Sequence, residues 1–252
     1  MAGTYKVDRS LAGKLRRRAA RLVARRAAGA PTRPMVSFTF DDAPATAAQA
    51  GARILEGLGL RGTYFIAASL AGQDSPSGPI LAPAAAARLA ESGHEIACHT
   101  FSHLDCGRSS AAEIDADVER NCAALAAWGL AAPVTFAFPY GDLTIAAKRV
   151  LGARFALSRA LHHGLIGRGA DLNQAPAVGI EGPGGERTAQ RWLAQAAARR
   201  AWLILYTHDV REDSSPWGCA PATLERLAEA ALAAQFEVVT VAEGARRLRQ
   251  SR

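Results

Sequence analysis

The chain has 252 residues, 49% hydrophobic and 21% charged, a balance that fits a globular protein and excludes disordered and collagen-like classes. Its four cysteines contain no CxxC pair, so neither a disulfide scaffold nor a paired-cysteine metal site is expected, and a reducing compartment fits best. The net charge of +7 is concentrated in residues 1–33, where ten Lys/Arg face Asp8 alone, while the remainder holds 20 Lys/Arg against 22 acids; that balance argues against nucleic-acid binding over the body of the chain.

Residues 11–30, LAGKLRRRAARLVARRAAGA, are strong helix formers. Leu11, Leu15, Leu22 and Val23 can share a face, with arginines on the rest. No apolar core comes after these basic residues, which argues against a secretory signal, and no stretch reaches the roughly 20 apolar residues of a membrane span. Two readings stay open for this arm. It docks on its own domain or on a second subunit of a homodimer, or residues 11–26 lie on an anionic inner leaflet. Pro31 and Pro34 separate it from the rest of the chain, giving an arm over 1–33 and one domain over 34–252.

Within that domain strands and helices alternate. Strands are expected at 36–40, 62–67, 95–98, 134–138, 154–157, 177–180, 202–206 and 236–240. Helices are expected at 45–58, 83–91, 111–128, 144–151, 190–199, 221–234 and 242–249. Such alternation predicts a parallel sheet, open or closed into a barrel.

Four motifs stand at strand ends, where sites of such folds gather. The first is VSFTFDDAP, residues 36–44, an alternating strand ending in the adjacent carboxylates Asp41 and Asp42. The second is HTFSH, which places His99 and His103 at i and i+4, on one face if the segment is a helical turn. Two imidazoles and one carboxylate make a three-ligand set with open positions, suited to Zn²⁺ or to another divalent transition metal such as Fe²⁺ or Co²⁺. The third is FAFPYG, where Pro139 and Gly141 shape a turn around Tyr140. The fourth is YTHDV, in which His208 is a candidate acid or base and Asp209 otherwise a turn residue.

TFDDAP, HTFSH, FPYG and YTHD, in this order, together with GTYFIA and SGHEIACHT, resemble the polysaccharide deacetylase family (carbohydrate esterase family 4, the NodB homology domain) over residues 34–245. The resemblance implies a distorted (β/α)7-8 barrel and metal-dependent removal of an acyl group from an N-acetylated sugar. It further implies that Asp42, His99 and His103 bind the metal and that Asp41 is the general base. Tyr140 would offer its backbone N–H to the oxyanion, and His208 would protonate the leaving amine. SHLDCG and SPWGC resemble a cytoplasmic branch that modifies holdfast exopolysaccharide.

Three departures from the family pattern stand out. Ala137 occupies the position of an arginine that orients the base, and no DxxDW-like motif is present, leaving Asp171 and Glu181 as weak stand-ins. Tyr206 stands where an aliphatic residue lines the acyl pocket. With Pro139 and Trp217 it forms the expected substrate-binding set, although Trp217 reads more readily as part of a loop packed on the barrel rim. His94 reads as structural, and Cys98 is expected to face away from His99.

The function expected is N-deacetylation of N-acetylglucosamine-type residues in an exopolysaccharide or its lipid-linked precursor, on the cytoplasmic side and at the periphery of the inner membrane. Two alternatives are a deformylase of a lipid-linked amino sugar and a catalytically silent scaffold or carbohydrate-binding member of an assembly complex.

Overall fold

The computed structural model describes residues 11–250. In chain order it contains α1 (Leu11–Ala20), β1 (Met35–Asp41), α2 (Ala52–Gly57), β2 (Thr63–Ile66), the hairpin β3 (Asp74–Ser75) and β4 (Gly78–Pro79), α3 (Pro83–Glu91), β5 (Glu95–Cys98), α4 (Ala111–Ala127), β6 (Thr135–Ala137), α5 (Ile145–Arg154), β7 (Leu157–Arg159), β8 (Val178–Gly179), α6 (Gly185–Arg199), β9 (Trp202–Thr207), α7 (Pro221–Ala233), β10 (Glu237–Val238) and α8 (Val241–Gln250). The main sheet is parallel throughout, in the order β7-β6-β5-β2-β1-β9-β8, with β10 added beside β1. One segment joins its two edges: Ala175 pairs with Arg159 of β7, and Val178 pairs with Leu205 of β9. The sheet thus curls into the distorted barrel expected of the sequence.

β1 shows how alternation sorts the core. Val36, Phe38 and Phe40 pack outward with Leu203, Leu205, Leu224 and Leu227 under the helices. The intervening Ser37, Thr39 and Asp41 have the opposite parity and are buried too. Ser37 Oγ accepts from Trp202 Nε1 at 3.0 Å. Asp41 meets Arg159 in the lumen, which Phe65, Ala97, Ala137, Leu157, Ile204 and Tyr206 fill. A strand buried on both faces is the rule for parallel sheets covered by helices.

Three expectations need correction. The helix expected over 45–58 is interrupted after residue 46 by a π-helical turn, Ala47–Gly51, before α2. Gly51 lies there against the Phe40 ring, where an added Cβ would come within 3.1 Å. The strand expected at 154–157 lies three residues later, because α5 continues to Arg154 and β7 runs Leu157–Arg159. α6 starts at Gly185 instead of residue 190.

The N-terminal arm is helical only to Ala20 and then runs extended along α5 and the start of β7. Lys148, fully buried, donates from Nζ to the Ala20 carbonyl (2.7 Å) and to Gln174 Oε1 (3.1 Å), and it pairs with Asp171. Arg25 donates to the carbonyls of Gly152, Phe155 and Ala156, and Ala27 exchanges backbone bonds with Gly169 and Ala170. Lys148 and Asp171 thus tie this segment down through the Ala20 carbonyl and the Arg25 N–H.

Candidate active site

Each motif leaves its strand at the C-terminal edge of the sheet, and the loops there hold five non-glycine residues at positive φ: Asp42 (58°), Ala43 (53°), Thr100 (61°), His103 (55°) and Tyr140 (59°). Each is an uncommon conformation for a residue with a Cβ, and such clusters gather where a site over-determines the backbone. In β1, Asp41 keeps strand geometry and points into the lumen. Asp42 turns into the left-handed region, so adjacent carboxylates reach different places.

Asp42, His99 and His103 offer ligand atoms all within 4.8 Å of one another. Asp42 Oδ1 lies 3.3 Å from His103 Nε2 and 3.7 Å from His99 Nε2. The helical turn expected for HTFSH is absent. Both histidines sit on a loop, which Asp117 holds by accepting from the backbone N–H groups of Phe101 (2.7 Å) and Ser102 (3.0 Å). Thr100 Oγ1 accepts from Leu104 N at 2.8 Å. His99 directs Nδ1 at the Ala137 carbonyl, 2.8 Å away, which fixes the tautomer with Nε2 as the free donor atom. Burial first, and then neighbouring His103, push His99 down to about 4, so its imidazole is neutral. The cluster fits a divalent cation: Asp42 Oδ1 is buried without a hydrogen-bond partner, and two imidazoles with one carboxylate suit zinc or a similar borderline ion.

Asp41 is held from an unexpected direction. Arg159 Nη2 donates to Asp41 Oδ1 at 2.6 Å, and both groups are buried. Ala137 of β6 and Arg159 of β7 are register partners, so the small residue in one strand leaves space that the arginine of the next strand fills. The guanidinium sits 5.0 Å from the Phe65 ring centroid and 5.3 Å from that of Tyr206. Burial raises the Asp41 carboxyl, but Arg159, His99 and His208 together outweigh it and keep its pKa below the ordinary value. Asp41 is thus ionised and oriented.

No acid backs this arginine: its Nε and Nη1 find no partner among the described residues. Asp171 is committed to Lys148. Glu181 instead reaches His208, with Oε2 3.7 Å from Nδ1, and its Oε1 accepts from the Tyr206 hydroxyl at 3.4 Å. Burial disfavours the charged imidazole, yet Glu181, Asp41 and Asp42 together lift His208 to about 9.

Pro139 is buried, and Tyr140 packs its ring edge-on to His103 at 4.5 Å. Tyr206 is buried in the lumen, so it lines the interior beside Arg159. Asp209 is wholly buried and knots the loop after His208, accepting from Ser215 N (2.9 Å), Ser215 Oγ (2.5 Å) and Arg211 Nε (2.9 Å). That loop returns to β9, where His208 N donates to the Trp217 carbonyl at 3.0 Å. The Trp217 side chain is 41% exposed. His94 is structural: Nδ1 accepts from Gly62 N and Nε2 pairs with Glu56. Cys98 packs with Cys106, Ile114 and Phe136 behind α4, away from the histidines.

Residues 28–154, just over half of the chain, match the polysaccharide deacetylase family. The chain belongs to that family. No curated protein matches it by sequence. Solved structures share the fold. A Mycobacterium smegmatis protein assigned to the polysaccharide deacetylases aligns at TM-score 0.69 and 18% identity, over 90% of this chain and 96% of that one. The chitin deacetylase of the fungus Colletotrichum lindemuthianum aligns at 0.59 and 20%, over 85% and 88%. A family 4 acetyl xylan esterase from Clostridium thermocellum, in complex with a cobalt ion, aligns at 0.57 and 20%, over 83% and 89%.

Proposed function

We propose that this chain is a metal-dependent hydrolase that removes the acetyl group from N-acetylglucosamine-type residues of a bacterial exopolysaccharide, or of its lipid-linked precursor on the cytoplasmic side. The observation that carries the reading is the division of work between adjacent aspartates: Asp42 lies with His99 and His103, whereas Asp41 is paired with Arg159. Asp42, His99 and His103 would hold the ion, and a bound divalent cation supplies Lewis acidity toward the acyl oxygen and an acidified water. Asp41, ionised beside Arg159, accepts a proton from the water that attacks the acyl carbonyl carbon. The backbone N–H of Tyr140 would serve the oxygen on which negative charge develops. When the C–N bond breaks, His208, protonated at neutral pH, gives its proton to the departing nitrogen. Acetate and a free amino sugar result.

Similarity to a chitin deacetylase and to an acetyl xylan esterase that holds cobalt supports this reaction class and a borderline metal. The intact Asp41–Arg159 pair stands against a catalytically silent scaffold. The test is acetate release from chito-oligosaccharides by the full chain, before and after chelation and on re-addition of Zn²⁺. We expect release that is lost with the metal and restored with it. Metal-loaded protein that frees no acetate would overturn the proposal.

A further inference from the structure

The helix α1 docks the wrong way round for a helix stabilised by its leucines. The residues it turns inward are Gly13 and Ala20, both buried, and Arg16, which donates to Asp142 Oδ2 at 2.7 Å. Spacings of three and four place these on one face. The opposite face carries Leu11, Leu15 and exposed Arg18, with Leu22 in the turn after the helix. The three leucines are 77%, 66% and 86% exposed, and no other leucine in the described residues matches them. Exposed Arg21 lies beside them.

The helix also has a definite place. Asp142 stands two residues beyond Tyr140, in the loop that leaves β6 for the active site. Arg16 therefore ties α1 to the rim of the catalytic mouth. From there the arm runs along α5 toward the other end of the barrel, where Arg25 grips the carbonyls of Gly152, Phe155 and Ala156. A ten-residue helix spans about 15 Å, so the leucine face starts close to the mouth.

We propose that the Leu11/Leu15/Leu22 face of α1 docks on an anionic phospholipid surface and holds the catalytic mouth at the headgroup layer. The leucines enter the interface while Arg18 and Arg21 meet phosphates, as in interfacial amphipathic helices. Charge decides against a second copy of the chain as occupant, because pairing two arms would oppose two segments that each carry ten Lys/Arg and one acid. Size decides against it as well: three leucines on one short helix fall far below the roughly 800 Å² per partner of a stable interface. An anionic bilayer meets both conditions. The proposal rests on the deacetylase reading only for its consequence, that the substrate is a glycan carried on lipid; the docking itself stands on the helix.

The experiment is co-sedimentation of the full chain with vesicles of phosphatidylglycerol and phosphatidylcholine, beside vesicles of phosphatidylcholine alone. Binding is expected to the anionic vesicles, reduced by high salt, with at least a tenfold weaker partition for the variant Leu11→Asp/Leu15→Asp/Leu22→Asp. Acetate release from a soluble chito-oligosaccharide should stay unchanged in that variant, which shows it folded and tests the catalytic reading separately. Wild-type protein that ignores anionic vesicles, a variant that binds them as well as wild type, or a wild-type dimer that the variant converts to monomer would each overturn the proposal.

Discussion

The two halves of this molecule contribute to the site in different ways. Residues 28–154 carry the family match and supply Asp41, Asp42, His99, His103 and Tyr140, all near strand ends or on the loops just beyond them. Residues 155–250 lie outside that match and supply Arg159 and His208, whose charges bear on Asp41, and Glu181, whose charge bears on His208. A ligand loop has to present a fixed set of atoms to one point. A group that only orients or polarises another can approach from any neighbouring strand, provided the charge arrives at the right atom. Arg159 illustrates this, filling from β7 the space that Ala137 leaves in β6.

The comparison breaks first if the ligand half does not bind metal. His99→Ala/His103→Ala should lose the ion and bring turnover to background, whereas Asp41→Asn should keep the ion and lose about 10²–10⁴-fold in kcat. Metal content measured beside turnover for each variant checks the division. Equal metal loss in both would mean that the adjacent aspartates share one task.

A sharper test moves the arginine. Arg159→Met leaves a buried carboxylate without its partner, a situation that costs about 3–5 kcal/mol when a buried pair is broken. Asp41 should then titrate higher. Because the base works only when ionised, the acid limb of the pH–rate profile should shift to higher pH, with kcat down about 10²-fold. The double variant Ala137→Arg/Arg159→Ala returns a guanidinium to the same space from the other strand and should recover part of that loss. If it recovers nothing while remaining folded, the strand of origin matters and the two halves are not interchangeable in this respect.

Much of this was legible in the sequence. Alternation in β1 and the carboxylates at its end announced the site, and the loop histidines were readable by residue type alone. Their loop was not, because the left-handed turns at Thr100 and His103 belong to residues with no intrinsic preference for them, and Asp117 imposes them from α4, over a dozen residues away. Arg159 was missed because the strand bearing it was expected three residues too early. Residues 154–157, RFAL, look as strand-like as LSR, and only the packing of α5 through Arg154 decides between them. Had the register been right, an arginine with lumen-facing parity beside Ala137 would have been the signal. Glu181 stands out by residue type, but nothing in its spacing ties it to His208.

Glu181 gives a smaller effect and a different readout. It lifts His208, which the proposed reaction needs protonated, and with Asp41 and Asp42 raises its pKa to about 9. Glu181→Gln removes one negative neighbour, so the imidazolium is less favoured and its pKa falls. The alkaline limb should therefore move to lower pH while the acid limb, which the proposal assigns to Asp41, stays in place. The pH–rate profile of the metal-loaded variant checks this. A shift of the acid limb instead would assign Glu181 to the base.

Trp217 should show the smallest effect, and its geometry makes the expectation specific. Its backbone, not its ring, holds the loop: the carbonyl accepts from His208 N, and Ser215 with Asp209 secures the turn. Cutting the ring to Ala therefore leaves His208 where it is. The exposed ring, on the loop whose carbonyl pairs with His208 N, is available to stack on a sugar of the proposed substrate. Aromatic contacts of this kind contribute on the order of 0.5–1.5 kcal/mol, which corresponds to roughly two- to tenfold. Trp217→Ala should accordingly raise KM by about that factor for a tetrasaccharide, with kcat unchanged and less effect on a disaccharide too short to reach the ring. A fall in kcat at constant KM would show instead that the ring acts through His208, and the loop would then belong with the electrostatic half of the site.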